Sequence, residues 1–554
     1  MASLLRVVPL GGLGRVGGNI MVYETDDDLI VVDCGIMFPG DDELGVDIVL
    51  PDVRYIERNA RKLRGYVLTH THEDHVGALP YVLEALPAPV YGTAYSLAQL
   101  RMKLGEHPHL DPKLVQIHDN EYFDVGGFRI LPIPVTHSIV GAVALALETP
   151  IGRVLHTGDF RIDRSPIDGR LTDEEGLRAL GDKGVTLMLS DSTNSEREGH
   201  SWSESEVRDA LTQVIATAEQ RVMVTTFSSN LHRIQAVIDA STRADRTVIP
   251  VGRSMAQAVQ LGLENGFLKA PRGSLADPSH FDDLARSQVT LLVSGSQGEP
   301  RGSFSRIAEG THGLVAIDPG DTVVMSSRRI PGNELRVGKA INALYRRGAI
   351  VVDDRSAKVH TSGHAFQDEQ RQMLEWVRPD WFIPIHGEYR HMVHHARTAQ
   401  GCGVGRDRIF VTEDGKPVVF EKVGDIVRAA RGQEVEAGPV YVADGTVGLV
   451  DEVVIRDRRL LADHGIVFCV VVLDQNDEVV AGPDIGTRGL FHIDENPQLI
   501  EEMCLVVAEA LDRVTEPPED LDGWGRIVRG ALKRFFRRDR FARPLLVPMV
   551  LRAD

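Results

Sequence analysis

The strongest chemical signal in this sequence is a dense group of metal-ligating residue types between positions 70 and 75. The segment reads His70-Thr-His72-Glu-Asp74-His75 and directly follows an apolar run at 66–68. A chain that leaves a strand and turns into a helix can present His70 and His72 to one ion, and Asp74 and His75 to a second. Imidazole and carboxylate ligands suit zinc or manganese. A polar loop of solvated histidines is the alternative, and the density of ligands disfavours it.

Four further ligating residues each follow an apolar, strand-like run. They are His137, Asp159, Asp191 and His386. In open α/β sheets, functional groups collect beyond the carboxyl ends of strands, so residues far apart in sequence can meet in space. Taken singly, His137 or His386 is more typical of a hydrogen-bonded loop histidine. A strand-end cap or turn aspartate is the alternative for Asp191. Together with positions 70–75, these residues predict a metal centre.

Strand-like runs and helical patterns alternate along the chain and predict an α/β fold. The predicted strands of the first part lie at 4–10, 29–32, 65–69, 128–135, 143–147, 153–156 and 187–189, with a helical pattern at 79–86. Ser203-x-x-Glu206 is typical of a capping box that opens a helix, and strands at 221–226 and 247–251 then alternate with helices at the spacing of a parallel sheet. Strands at 350–352 and 381–385 resume the first pattern, so the second domain is predicted to be inserted in the first.

These changes of pattern predict the domain boundaries. The first domain comprises 1–204 and 349–422, and an inserted α/β domain occupies 205–348. A charged, weakly periodic segment at 423–450 is interpreted as a linker. A small α+β domain follows at 451–554, with strands at 452–455 and 467–473 and helices at 497–514 and 525–543.

Composition limits the class of protein. The 554 residues are 43% hydrophobic and 25% charged, which is typical of globular domains and excludes disordered and fibrous classes. The four cysteines lie far apart, which excludes a disulfide scaffold. A formal net charge of −19 argues against diffuse attraction to nucleic acid. Because neither a spanning apolar run nor a secretory signal is evident, we expect a cytoplasmic protein with no membrane partner.

The order and spacing of the ligating residues resemble the metallo-β-lactamase superfamily. The matching residues are His70-x-His72-x-Asp74-His75, His137, Asp159 within His-Thr-Gly-Asp-Phe, and His386. Asp191, His360-Thr-Ser-Gly-His364-Ala and Pro384-Ile-His386-Gly-Glu resemble further motifs of its β-CASP nucleases, which carry an inserted domain. The strings Gly295-Ser-Gln-Gly-Glu-Pro300 and Ile330-Pro-Gly-Asn-Glu334, with the tail domain, resemble bacterial ribonuclease J. The resemblance covers nearly the whole chain.

This resemblance implies a fold and a set of metal ligands. The fold is an α/β metallo-β-lactamase αββα sandwich with an inserted β-CASP domain and a C-terminal α+β domain. Two divalent ions per subunit, Zn²⁺ or Mn²⁺, are expected. His70, His72 and His137 would hold one, Asp74, His75 and His386 would hold the other, and Asp159 would bridge them. Such a pair of ions lowers the pKa of a shared water and supplies hydroxide that attacks a phosphodiester.

Other residues receive roles in catalysis and RNA binding from the same resemblance. His364 would stabilise the transition state and protonate the leaving 3′ oxygen, with Asp191 orienting it. The segment Ser228-Ser229-Asn230 and the segment His360-Thr361-Ser362-Gly363-His364 would form a pocket for a 5′-monophosphate. By sequence alone, residues 228–230 are more typical of an ordinary helix N-cap. Asp33 is either a partner of a metal ligand or an ordinary turn aspartate.

The expected function is a metal-dependent ribonuclease with 5′-to-3′ exonuclease and endonuclease activity. Its products would carry 5′-phosphate and 3′-hydroxyl ends, and its roles would be RNA maturation, including rRNA processing, and mRNA decay. The expected partner is single-stranded RNA, preferably 5′-monophosphorylated, and the tail domain would support a homodimer. A purely endonucleolytic β-CASP nuclease and a nonhydrolytic RNA-binding scaffold are the alternatives, and the full ligand set disfavours the scaffold.

Overall fold

The computed structural model describes residues 3–40, 42–299, 301–328, 333–448, 450–490, 496–538 and 543–553. Four residues of the motifs named above, Pro300 and 330–332, lie outside the described residues. The chain divides into two compact units. The first consists of Met1–Phe38 and Val49–Pro439, and the second of Pro39–Ile48 and Val440–Asp554.

The chain up to Asp191 builds most of the first domain. Its strands are β1 (Ser3–Gly11), β2 (Leu13–Gly14), β3 (Ile20–Glu24), β4 (Leu29–Val32), β5 (Ile48–Pro51), β6 (Leu63–Val67), β7 (Val90–Gly92), β8 (Leu114–Gln116), β9 (Phe123–Val125), β10 (Phe128–Pro134), β11 (Val143–Thr149), β12 (Gly152–His156) and β13 (Leu187–Asp191). Its helices are α1 (Arg54–Arg58), α2 (Glu73–Val76), α3 (Leu79–Ala85), α4 (Ala94–Leu104) and α5 (Glu174–Asp182). All seven predicted strands are present, because alternating apolar runs between turn residues are a direct signal of buried strands.

The inserted domain is a parallel sheet with flanking helices, as predicted. Its elements are α6 (Glu204–Thr217), β14 (Val222–Thr225), α7 (Leu231–Arg243), β15 (Thr247–Val251), α8 (Arg253–Glu264), β16 (Val289–Val293), α9 (Ser303–Glu309), β17 (Thr322–Met325), α10 (Glu334–Arg346) and β18 (Ile350–Val352). The strands lie in the order β15-β16-β14-β17-β18, and all neighbours are parallel. The predicted capping box is confirmed, since Ser203 and Glu206 cap α6 reciprocally.

One sequence-based assignment in this region is wrong. The strand at 350–352 was predicted to return to the first domain, but β18 pairs with β17 as the edge strand of the inserted sheet. A three-residue strand carries no sequence signal for its sheet, because the hydrogen-bonding partner comes from another segment.

The first domain is completed by α11 (Gln367–Val377), β19 (Trp381–Ile385), β20 (Gly387–Glu388), α12 (Tyr389–Gly401), β21 (Val418–Val423) and β22 (Ile426–Arg431). One sheet has the order β22-β21-β1-β3-β4-β6-β7-β8, and the other has the order β19-β13-β12-β11-β10-β9. Their inner faces form one core that includes Val7, Val32 and Val67 from the first sheet and Leu145, Leu189 and Ile385 from the second. Helices cover the outer faces, as α5 and α11 show by burying Leu177 and Leu374. The predicted αββα sandwich is confirmed.

The segment predicted to be a linker contains strands. β22 pairs antiparallel with β21 and extends the first sheet. Its side chains are exposed or half-buried, and Ile426 is 62% exposed. An edge strand of this kind carries a weak hydrophobic pattern, which is why the sequence resembles a linker there.

The second unit is an α+β domain. Its elements are β23 (Pro439–Ala443), β24 (Thr446–Val447), α13 (Glu452–His464), β25 (Ile466–Leu473), β26 (Val479–Arg488), α14 (Pro497–Asp512), α15 (Leu521–Arg538) and β27 (Leu545–Arg552). The sheet order is β26-β25-β27, and α14 and α15 share one buried core with the sheet. Among the described residues, no helix has both the length and the hydrophobicity needed to cross a membrane.

The strand predicted at 452–455 is wrong, because these residues form the first turn of α13. Asp451 Oδ1 accepts a hydrogen bond from Val454 N at 2.9 Å and caps the helix. Valine residues favour strands on average, but the N-cap and the surface position determine the structure here.

Candidate metal centre

The metal-ligating residues predicted from the sequence lie together at one edge of the sandwich. His70, His72, Asp74 and His75 follow β6, His137 follows β10, Asp159 follows β12, Asp191 ends β13, His386 follows β19, and His364 lies between β18 and α11. Their potential ligand atoms form several overlapping groups. Within each group, the atoms lie within 4.8 Å of one another. The carboxyl ends of neighbouring strands bring these loops together, as the positional rule predicted.

The Asp159 carboxylate lies between two sets of imidazoles. Asp159 Oδ2 is 3.6 Å from His70 Nε2 and 3.8 Å from His137 Nε2. The same oxygen is 3.2 Å from His75 Nε2 and 3.3 Å from His386 Nε2. One carboxylate oxygen is therefore within reach of ligands from both predicted sets.

The first set consists of three imidazoles that point at one another. His72 Nδ1 lies 3.1 Å from His70 Nε2 and 3.0 Å from His137 Nε2. Burial lowers the pKa of all three rings, that of His72 to about 4. Neutral imidazoles with converging nitrogens are the form that binds a divalent metal.

The second set favours positive charge. Asp74 Oδ2 lies 3.4 Å from His386 Nε2 and 3.8 Å from His75 Nε2. Burial by itself lowers the pKa of both rings, but nearby carboxylates, Asp159 first among them, outweigh it and raise the pKa of His386 to about 9. The carboxylates of this set therefore stabilise a positive charge, which either an imidazolium or a metal cation can provide.

Buried atoms without partners fit a bound cation. Within the part of the chain that the structure describes, Asp159 Oδ1 and His386 Nε2 are buried and have no hydrogen-bond partner. Buried polar atoms are almost always satisfied in folded proteins, and a cation at the centre of the cluster would satisfy both of these atoms. The imidazole and carboxylate donors fit zinc or manganese.

The rings are oriented through their other nitrogens. His75 Nδ1 lies 2.7 Å from Asp33 Oδ2, His137 Nδ1 lies 2.6 Å from Gly363 O, and His386 Nδ1 lies 2.7 Å from Thr193 Oγ1. Such contacts fix the orientation and tautomer of metal-binding histidines. Two interpretations of Asp33 were open from the sequence. The structure favours a role as hydrogen-bond partner of the candidate ligand His75, because Asp33 is buried and bonded to that ring.

The backbone at the site is held in uncommon conformations. Asp33 and His386 have φ values of +59° and +54°, in the left-handed region. Non-glycine residues rarely adopt this region, and strained backbone of this kind recurs at functional sites. Gly363 is required for close packing, because a Cβ there would lie 2.5 Å from Ser138 Oγ and 2.9 Å from His137 Nδ1.

His364 and Asp191 form a pair beside the metal cluster. His364 Nδ1 lies 2.8 Å from Asp191 Oδ2 and 3.8 Å from Asp159 Oδ2. Burial by itself lowers the pKa of His364, but the Asp191 carboxylate outweighs it and raises this pKa above its usual value. The ring can therefore hold a proton near neutral pH.

The residues predicted to bind the RNA end lie in two loops. Ser228 and Ser229 are half-buried between β14 and α7, while the side chain of Asn230 caps α7 by accepting from Arg233 N at 3.0 Å. The N-cap reading is therefore right for Asn230. The second loop contains His360, Thr361, Ser362, Gly363 and His364. Arg233 Nη1 and Ser326 Oγ both donate to Val359 O, at 3.0 and 2.6 Å, and connect α7 with this loop.

Three polar residues that sequence reasoning missed support the site. Asn19 Nδ2 donates to Asp74 O at 3.0 Å and also contacts His75 Nε2 at 3.0 Å. Thr193 contacts His386, and Asn194 Nδ2 donates to Ser362 Oγ at 2.8 Å. Thr193 and Asn194 follow Asp191 at the end of β13, so the positional rule for strand ends could have found them.

The fold is an αββα sandwich with an inserted parallel-sheet domain, and the site is a paired cluster of imidazoles and carboxylates. Together they identify a metallohydrolase of the metallo-β-lactamase fold. Residues 13–215 match the metallo-beta-lactamase superfamily, and residues 219–344 match the family described as "Ribonuclease J, beta-CASP domain". Residues 350–411 match the "Zn-dependent metallo-hydrolase RNA specificity domain", and residues 453–553 match the "Ribonuclease J C-terminal domain".

Sequence similarity to known proteins identifies the family of this chain. Ribonuclease J 1 of Streptococcus pyogenes is 37% identical over 552 residues, covering 99% of this chain and 98% of its own. Ribonuclease J of Mycolicibacterium smegmatis is 38% identical over 556 residues, covering 99% and 97%. The chain belongs to the ribonuclease J family of metal-dependent nucleases, which act on RNA.

A solved structure shows the same fold at lower similarity. A protein of unknown function from Enterococcus faecalis V583 superimposes with a TM-score of 0.53 and 16% identity. The match covers 76% of this chain and 100% of that protein.

Proposed function

We propose that this chain is a two-metal ribonuclease that removes mononucleotides from the 5′ end of RNA and also cuts RNA internally. The observation that carries the proposal is the position of Asp159 Oδ2, within 3.2–3.8 Å of imidazoles from both sets. His70, His72 and His137 would hold one cation, Asp74, His75 and His386 the other, and Asp159 would contact both. Two zinc or manganese ions held by these residues would supply hydroxide near neutral pH for attack on phosphorus.

His364 is the proposed proton donor. Its Nδ1 lies 2.8 Å from Asp191 Oδ2, and its ring packs beside those of His137 and His386. A protonated imidazole can stabilise charge on the attacked phosphate and protonate the leaving 3′ oxygen. Cleavage of this kind leaves a 5′-phosphate on one product and a 3′-hydroxyl on the other.

The proposed 5′-monophosphate pocket consists of Ser228, Ser229, Asn230 and residues 360–364. Residues 228–230 directly precede the amino terminus of α7, and the positive end of a helix dipole favours an anion. A pocket at a fixed distance from the metal centre explains stepwise release of mononucleotides. An RNA that reaches the metal centre without placing its 5′ end in the pocket would be cut internally.

The test is digestion of end-labelled RNA by the metal-reconstituted protein, with products resolved by length. We expect mononucleotides from 5′-monophosphorylated RNA and a slower reaction with 5′-triphosphorylated RNA. Products that are only long fragments would favour the purely endonucleolytic alternative. Asp74→Ala or His75→Ala should abolish cleavage and leave much of the RNA binding, whereas a nonhydrolytic scaffold would show no turnover in any variant.

The proposed cellular roles are RNA maturation, including rRNA processing, and mRNA decay in the cytoplasm. We also propose a homodimer formed through the C-terminal domain, which belongs to the second compact unit. Analytical ultracentrifugation of a chain that ends near residue 440 tests the dimer. We expect a monomer, and an unchanged dimer would contradict this assignment.

A further inference from the structure

A network of charged side chains is buried between the first and inserted domains. Arg161, Asp163, Glu204 and Arg233 are at most 3% exposed. Buried charges are costly unless they are paired and fully hydrogen-bonded. None of the four belongs to the metal cluster, so the network requires another explanation.

Glu204 and Arg233 form the centre of the network. Arg233 Nη2 lies 3.1 Å from Glu204 Oε1 and 3.0 Å from Oε2, and Arg233 Nε lies 3.2 Å from Oε2. The remaining nitrogen, Nη1, donates to Ser326 O at 3.1 Å and to Val359 O at 3.0 Å. The planar guanidinium therefore fixes α6, α7, the end of β17 and the start of the 360–364 loop relative to one another.

Arg161 extends the network to the metal cluster. Its Nη2 lies 2.7 Å from Asp163 Oδ2 and 3.6 Å from Glu204 Oε1. Its Nη1 donates to Trp202 O at 2.8 Å, and the same carbonyl accepts from Thr361 Oγ1 at 2.8 Å. Arg161 is two residues from Asp159, so one set of contacts joins the loop of the central carboxylate to the loop of His364.

We propose that the Glu204–Arg233 pair, with Arg161 and Asp163, is a positioning device that sets the distance between the RNA 5′-end pocket and the metal centre. This inference rests on the proposed function. Neither Glu204 nor Arg233 is among the candidate metal ligands or the proposed pocket residues. The pair acts through Val359, through Ser326 and through α7, whose amino terminus carries Ser228 and Ser229.

The proposed positioning role predicts that loss of the Glu204–Arg233 pair has different effects on the turnover of two substrates. A 5′-monophosphorylated RNA must occupy the pocket and the metal centre at once, so it is sensitive to their spacing. A small diester such as bis(p-nitrophenyl) phosphate occupies the metal centre alone. A loss of positioning should therefore affect RNA turnover and leave turnover of the small diester intact.

The test replaces the pair by Glu204→Met with Arg233→Met, because apolar residues of similar volume can replace a buried ion pair without loss of stability. The matched control is Arg221→Met with Asp321→Asn. Arg221 Nη1 lies 2.7 Å from Asp318 Oδ2 and 3.6 Å from Asp321 Oδ2. Arg221 and Asp321 are buried at the amino ends of β14 and β17, opposite the proposed pocket. Circular dichroism and thermal unfolding establish that each variant is folded. If the double methionine variant does not fold, Glu204→Gln replaces it.

For the folded variant we expect kcat/KM on 5′-monophosphorylated RNA to fall roughly tenfold to hundredfold, since small misplacements have effects of this size. Hydrolysis of bis(p-nitrophenyl) phosphate should stay within about twofold, as should both activities of the control. The preference in binding for 5′-monophosphate over 5′-hydroxyl ends, measured with 2′-O-methyl RNA, should also decrease.

Unchanged RNA turnover in a folded variant would overturn the inference, and so would equal losses on both substrates. The pocket of the proposed function is tested on the unaltered protein, whereas the positioning role is tested on the variant. An unaltered protein that does not distinguish 5′-monophosphorylated from 5′-triphosphorylated RNA would remove the pocket, and the positioning role with it.

Discussion

Asp33→Asn is the substitution that most sharply tests how the metal ligands are held. The Asp33 carboxylate accepts from Thr69 N at 2.8 Å and from Thr69 Oγ1 at 2.6 Å, and it lies 2.7 Å from His75 Nδ1. For His75 Nε2 to bind a cation, Nδ1 must carry the proton and donate to Asp33. Asparagine has nearly the same shape but offers one acceptor oxygen and two N–H donors.

Either orientation of the asparagine amide disrupts one contact. If Nδ2 faces His75, it favours the tautomer with the proton on Nε2, which cannot bind a metal. If Nδ2 faces Thr69 N, two donors meet and a buried N–H is left unpaired. A hydrogen bond to a charged group contributes about 1.5–3 kcal/mol. At about 1.4 kcal/mol per tenfold change, this agrees with the roughly 10- to 100-fold loss of metal affinity or activity seen when such partners are removed.

The assay is calorimetric titration of the metal-free protein with Mn²⁺, together with the turnover number on RNA. Asp52→Asn is the control, because Asp52 is a buried carboxylate that is bonded to Arg54 and is not part of the metal cluster. We expect weaker metal binding for Asp33→Asn alone. A folded Asp33→Asn protein with metal affinity and turnover within about threefold of the unaltered chain would refute this reasoning.

Three further predictions follow from single contacts. Gly363→Ala should reduce turnover roughly 100-fold with an unchanged circular dichroism spectrum, because its Cβ would displace His137; full activity would contradict the close packing. Asp191→Asn should move the alkaline limb of the kcat–pH profile to lower pH, because the carboxylate that raises the pKa of His364 is lost; an unshifted limb would exclude His364 as the proton donor. Thr193→Val should weaken metal binding about tenfold, since His386 Nδ1 loses its partner at 2.7 Å, and equal calorimetric affinities would argue against that role.

The sequence predicts that the candidate ligands lie close together, and they do, for a physical reason. Residues that follow strand-like runs meet at the carboxyl edges of sheets, so the sequence predicts that His137, Asp159 and His386 lie near one another. The distances depend on the fold, because Asp159 Oδ2 contacts rings from β6, β10 and β19 loops only after the two sheets pack.

Other features depend on partners that are distant in sequence. Glu204 looks like an ordinary first-turn acid of α6, and nothing in its neighbourhood indicates the ion pair with Arg233. The strand at 350–352 and the helix that begins at Glu452 were misassigned because the sheet partner and the N-cap, not average propensity, determined them.

The most direct test of the paired metal centre is anomalous scattering from crystals grown with Mn²⁺ or Zn²⁺. We expect two peaks about 3.5–4 Å apart, with the Asp159 carboxylate in contact with both ions. One peak should lie beside His70, His72 and His137, and the other beside Asp74, His75 and His386. A single ion, or ions bound away from Asp159, would contradict this prediction.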